Sequence, residues 1–256
     1  MHVYACFDLD RFLDSAWNNC QSQAQQKGVR ANVHPVLFLT EAKDADYFAQ
    51  LKANVSASTE WSFGETNEKV SLSACHADGR NLIIINGRQV VTSENLEVLT
   101  LATDKIVPDG QPADRVVQRA IENESIPVIP WGFGKWWGRR GKVLSDLLGT
   151  YAPDELFLGD NSGRPWLLAK PGHFSVAAEE GRRILPGSDP LPFKSEYWRP
   201  GSAGFSLSGD FDANNPAAWL RQQLKDPDTH IDTYMRGERL LPFVRNQVAM
   251  QIRKRK

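Results

Sequence analysis

Short apolar runs separated by polar, helix-period stretches organise the first forty residues. Residues 2–8 form a β-rich apolar run that reads as a buried strand. Residues 10–27 carry Phe12, Leu13, Ala16, Trp17 and Cys20 at helical spacing, and the pattern stops at Gly28. Residues 36–39 form a second buried strand, and Thr40 is placed to cap a helix with acids in its first turn. This βαβα order predicts parallel strands. The middle differs: residues 69–75 alternate, with Val70, Leu72 and Ala74 on one face, and Asp78-Gly79 is a hairpin signal. Apolar segments at 82–85, 89–91 and 96–101 continue an antiparallel insertion. Strand–helix units then resume, with strands at 127–130, 155–158 and 183–185 and helices at 113–121, 142–148 and 176–180. Asn215 caps a helix over 216–224 with Pro216 in its first turn, and residues 239–253 form a closing helix. No internal repeat or low-complexity linker breaks the chain, so residues 1–256 read as a single α/β domain.

Composition narrows the class. The 256 residues are 41% hydrophobic and 24% charged, with a formal net charge of −1. These values describe a globular chain without a whole-molecule field for nucleic acid or membrane, so neither is expected as a partner. No apolar run is long enough to span a bilayer, and no signal segment opens the sequence. Cys6, Cys20 and Cys75 are an odd set without metal-type spacing, which suits a cytoplasmic setting. The sequence does not fix an oligomeric state.

Unusual residues collect in three loops that follow expected strands. Residues 130–141 combine four glycines with Trp131, Lys135, Arg139 and Arg140. Residues 159–165 contain Asp160, Asn161 and Arg164, and residues 186–201 contain Ser188, Asp189 and Arg199. The C-terminal ends of parallel strands share one face, and ligands bind there. Glycines open backbone amides, arginine offers bidentate donors to anions, and tryptophan offers a stacking wall. The expected ligand set is therefore Trp131, Lys135, Arg139, Arg140, Asn161, Arg164, Ser188 and Arg199, around a small anionic or sugar-like molecule. Asp160 and Asp189 are the candidate acid and base. The plainer alternative is that these arginines neutralise the clustered aspartates.

Two family resemblances bear on the stretch Asp8-Leu9-Asp10. In one, it resembles the nucleophile loop of haloacid-dehalogenase-type phosphatases, with Leu156-Phe157-Leu158-Gly159-Asp160 similar to their later metal motif. Arg11-Phe12 replaces the flexible turn those enzymes need, and Gly163-Arg164-Pro165 stands where their motif has its downstream aspartate. The other covers most of the chain. Phe7-Asp8-Leu9-Asp10, the 39–44 segment, Gly87-Arg88-Gln89, Pro130-Trp131 and Gly187-Ser188-Asp189 resemble, in order, the motifs of the polymerase-and-histidinol-phosphatase family. That family's metal-binding histidines are replaced here by Asp8, Asp10, Ala42 and Trp131, and its bridging glutamate by Gln89.

This second resemblance implies a distorted (β/α)7 TIM-like barrel with an antiparallel insertion in its first half. Its metal centre would be lost, with no cofactor, or remodelled into a carboxylate site of Asp8, Asp10, Glu41 and Asp189 for Mg or Mn. The implied function is binding, or hydrolysis as a phosphoesterase, of a small anionic ligand. Asp8 otherwise serves as a buried acid paired with an arginine, and Asp10 as a helix cap. Whether the chain is an enzyme stays open.

Overall fold

The computed structural model describes residues 2–3, 7–29, 32–55, 58–165, 167, 170–235, 238 and 240–254. Residues 4–6 of the first expected strand, Trp166 and residue 239 of the closing helix lie outside the described residues. The elements run α1 (Leu9–Gln26), β1 (Val36–Phe38), α2 (Tyr47–Lys52), β2 (Trp61–Glu65), β3 (Ser71–His76), β4 (Asn81–Ile85), β5 (Gly87–Val91) and β6 (Glu97–Leu101). They continue as α3 (Ala113–Glu122), β7 (Ile126–Pro130), α4 (Gly138–Thr150), β8 (Phe157–Asn161), α5 (Gly172–Glu179), β9 (Ile184–Gly187) and a 3-10 turn (Lys194–Glu196). The chain ends with β10 (Ala203–Ser206), α6 (Pro216–Lys225), β11 (Asp232–Met235) and α7 (Leu240–Lys254).

The expected (β/α)7 TIM-like barrel is not formed. The strands make three sheets, ordered β1-β4-β3-β2, β5-β6-β7-β8-β9 and β10-β11, with no closed barrel among the described residues. Apolar periodicity reports burial, but closure depends on edge pairing, which it does not encode. The antiparallel strands β2 to β6 are not an insertion into a ring. They supply most of the first sheet and the first edge of the second.

Within this frame the strand directions are still favourable for a site. β7, β8 and β9 are parallel, with Pro130 opposite Gly159 and Asn161 opposite Gly187. β5 runs the same way, because β6 is antiparallel to both β5 and β7. β1 pairs in parallel with β4, and its continuation links the first two sheets. The Leu39 amide donates to the Ile85 carbonyl, the Glu41 amide to the Gly87 carbonyl, and the Gln89 amide to the Glu41 carbonyl, each at 2.9 Å. A side chain at residue 87 would place its Cβ 2.6 Å from the Leu39 carbonyl oxygen, so the junction requires glycine.

The helices form where side chains close their ends. Asp8 caps α1 by accepting from the Arg11 amide at 3.1 Å, and Phe12, Leu13 and Ala16 bury the inner face. Thr40 does not cap α2: its N-cap is Asp46, and Glu41 continues the strand pairing instead. Pro216 opens α6, but its free amides are met from far away. The Glu68 carboxylate accepts from Ala217 and Ala218 at 2.7 and 2.8 Å. At the other end of a helix, buried Arg182 donates to the Leu148, Tyr151, Ala152 and Leu156 carbonyls at 2.7–2.9 Å. It thereby closes the C-terminus of α4 with a positive charge.

Replacing Arg182 by Met keeps the apolar stem and strands four carbonyls, two of whose bonds are fully buried. We expect a loss of about 3 kcal/mol in urea denaturation, since each buried acceptor left unpaired costs roughly 1–3 kcal/mol. A loss below about 1 kcal/mol would show that water reaches these carbonyls.

Candidate functional site

A cavity of about 550 Å³ lies between α1, the segment entering β1, β5 to β10 and α6. The C-terminal ends of the parallel strands form one pole. Thr40 lies just beyond β1, Trp131 beyond β7, Asn161 ends β8, and Ser188 and Asp189 follow β9. Leu99, Val128, Phe205, Trp219 and Leu220 supply an apolar middle. At another edge Lys27 pairs with Asp232 at 2.7 Å and lies 5.4 Å from the Tyr234 ring centre.

The polar pole is built around Asp189. Its backbone has φ +36°, in the left-handed region that non-glycine residues seldom occupy. Such a conformation costs on the order of 1–3 kcal/mol and persists only where surroundings fix it. Asn161 provides one fixation: its Oδ1 accepts from the Gly163 amide at 2.7 Å, which turns its Nδ2 to donate to Asp189 Oδ2 at 2.7 Å. His2 lies on the other side, with Nε2 2.9 Å from Gln89 Oε1 and 3.9 Å from Asp189 Oδ1. Burial is the largest influence on His2 and holds its pKa below the ordinary value of 6.5, while the Asp189 charge pulls upward. His2 is thus neutral near pH 7, beside the Asp189 carboxyl group. The Asp189 side chain remains 36% exposed toward the cavity. At 3.9 Å the His2 ring and the Asp189 carboxyl group are neighbours and not hydrogen-bonded.

Four of the five basic residues expected to hold a ligand are engaged elsewhere. Arg164 makes a two-pronged contact with Asp160, from Nε at 2.9 Å and Nη2 at 2.8 Å, and both groups are buried. Arg199, 2% exposed, binds the carboxylates of Glu196 and Glu238 and donates to Ser162 Oγ at 3.1 Å. Lys135 is paired with Glu97. Arg140 donates to the Gly134 carbonyl at 2.8 Å, and Arg139 is exposed. None of these five lines the cavity. The anion cradle expected of them does not line this cavity: Arg164 and Arg199 are paired with carboxylates, Arg140 with a backbone carbonyl, and Arg139 faces outward. Asp160, expected as an acid or base, reaches the cavity wall with both oxygens committed to Arg164.

The four carboxylates of the alternative metal site do not converge. No group of three or more His, Cys, Asp or Glu among the described residues could hold a metal ion. Asp8 is an exposed helix cap rather than a buried acid. Asp10 is not the cap. Partial burial raises its pKa, but bonds from Ser58, Thr59 and the Glu60 amide outweigh that and hold it low. Glu41 is buried, accepts from the Phe48 amide at 2.7 Å and lies 3.3 Å from Arg88. Burial pushes its pKa up, against those two partners. Cys20 also lines the cavity, and burial raises its pKa, so it is a protonated thiol rather than a ready nucleophile.

Trp131, Asn161, Ser188 and Asp189 therefore come together as the strand ends predict. His2, Gln89 and Glu97 join them without having been expected as site residues. Gln89 stood at a motif position, but nothing local marks His2, which meets Asp189 across most of the chain.

No family model matches the chain, and no curated protein matches it. Among solved structures it is similar to "Crystal Structure of PsfC from Pseudomonas syringae PB-5123", at 15% identity and TM-score 0.51, over 100% of this chain and 92% of that one. This likeness shows the fold alone and does not bear on the polymerase-and-histidinol-phosphatase resemblance.

The depressed pKa of His2 makes a signed prediction. Below its ordinary value of 6.5 the unfolded chain binds a proton that the folded chain resists, so stability falls as pH drops from there toward the folded pKa. Thermal denaturation between about pH 7.5 and pH 5 should show a smaller loss in His2→Gln than in the parent. Equal losses would remove His2 from this role.

Proposed function

We propose that the chain binds a small molecule in this cavity, one that presents hydroxyl or ammonium donors to Asp189 and lays an apolar body along Leu99, Val128 and Phe205. The supporting observation is the charge at the polar pole. Asp189 has a neutral histidine and an amide as polar neighbours, while the nearby basic side chains are spent on other acids. A donor-bearing or cationic group satisfies that pole, and a second anion does not. The volume falls in the range of sites for metabolite-sized ligands, roughly 300–1,000 Å³. This reading keeps the ligand site at the strand ends and changes its chemistry from the anionic class. The cytoplasmic setting expected from the cysteines belongs to the same proposal; among the described residues no helix is long and apolar enough to cross a membrane.

Thermal-shift screening of amines, amino alcohols and polyols, with phosphate and dicarboxylates as controls, tests the reading. A ligand at a hundred times its Kd should stabilise the fold by about 2.7 kcal/mol. Gly187 lines the cavity, and a Cβ there would meet nothing within 4 Å, so Gly187→Leu should fold while filling the space. We expect it to abolish the shift, and Asp189→Asn to weaken binding about tenfold or more through the lost charged hydrogen bond. Shifts with anions alone, or an undiminished shift in Gly187→Leu, would contradict the proposal.

A further inference from the structure

The last helix is built inside out. In α7, Phe243 and Asn246 are buried against the body, and Asn246 donates to Glu196 at 3.3 Å. The opposite side carries Leu241, Val244, Val248 and Ile252, which are 83%, 50%, 54% and 55% exposed. Their spacing of three, four and four residues places them in one stripe facing away from the protein. An ordinary surface helix shows polar residues there. Beside it, the loop after β7 exposes Phe133 and Trp137, whose rings lie 5.3 Å apart, and Phe133 touches Phe243 at 5.5 Å. Loop and helix thus share one apolar face.

The two sequence segments that carry that face hold one sign of charge. Residues 131–145 contain Lys135, Arg139, Arg140 and Lys142 and no acid, and residues 240–256 contain five basic residues and no acid. Lys135 is paired with Glu97, while Arg139 and Lys142 are exposed. The acid nearest α7 in sequence, Glu238, is buried against Arg199. A second copy of the chain would set basic groups against basic groups around the apolar centre, which disfavours a symmetric dimer. An anionic surface with an apolar interior complements both features.

We propose that α7 and the Phe133–Trp137 loop form a docking face for an anionic lipid membrane. The helix lies flat at the interface, its stripe enters the acyl boundary, Trp137 sits at headgroup depth, and the arginines meet lipid phosphates. The expectation of no membrane partner came from the net charge of −1, which averages this face with an acidic remainder.

The test is co-sedimentation of the full chain with phosphatidylcholine vesicles, with and without phosphatidylglycerol, at low and high salt. Each basic residue near an anionic surface strengthens partitioning roughly fivefold, so anionic vesicles should bind more than about tenfold better than neutral ones. High salt should erase most of that difference. The paired change Val244→Glu with Val248→Glu, at exposed positions that leave the fold intact, should reduce binding about tenfold or more. Arg139→Glu with Arg140→Glu should do the same through charge, which separates the two contributions. Equal binding to both vesicles, or no effect of either pair of changes, would overturn the proposal. So would a concentration-dependent dimer dispersed by the two valine changes, since the face would then be a self-interface.

Discussion

A chain of buried charges holds the strand-end face of this protein together. Asp160 on β8 grips Arg164, and the Arg164 carbonyl accepts from the Glu238 amide at 3.1 Å. The Glu238 carboxylate meets Arg199, Arg199 meets Glu196, and Glu196 accepts from Asn246 on α7. Charges taken out of water are costly unless paired and hydrogen-bonded, so each member fixes the next. The result ties a strand, two loops, a 3-10 turn and the last helix into one arrangement. The exposed apolar stripe of α7 faces outward because the opposite side of the helix is anchored through Asn246 and Phe243.

The same network sets the chemistry of the cavity. Arg199 holds Ser162 Oγ, which donates to the Ser188 carbonyl at 2.6 Å, so the loop that presents Asp189 is tied to the charged chain. The left-handed backbone at Asp189 is held by that loop and by the Asn161 amide. By consuming Arg164 and Arg199, the network leaves Asp189 at the polar pole of the cavity without an arginine beside it. That pairing is the basis of the ligand chemistry proposed above: Arg164 and Arg199 lie near the site but are committed to the protein's own carboxylates.

How much of this was legible depends on chain distance. The strands β7, β8 and β9 stand out as short apolar runs, ending at Pro130, Asn161 and Gly187, and their parallel direction follows from the intervening helices. Trp131, Asn161, Ser188 and Asp189 could therefore be grouped at one pole. The pairing of Arg199 with Glu238 and the approach of His2 to Asp189 are tertiary facts with no local trace. Composition showed arginines beside aspartates, and of these Arg164 neutralises Asp160, whereas Arg199 pairs with two glutamates. The barrel was mistaken because buried strands look alike in a closed ring and in separate sheets. Strands β10 and β11 lack the alternation that would have revealed them.

The central claim is that Arg164 is the counterion of Asp160 and not a ligand donor. A double-mutant cycle of Asp160→Asn and Arg164→Met, read by urea denaturation, tests it directly. Breaking a buried pair on one side costs about 3–5 kcal/mol, so each single change should be strongly destabilising. The double change should cost less than the sum by about 1 kcal/mol or more, because the two groups interact. Additive losses, or an Arg164→Met variant as stable as the parent, would contradict the account and return the guanidinium to the candidate ligand donors.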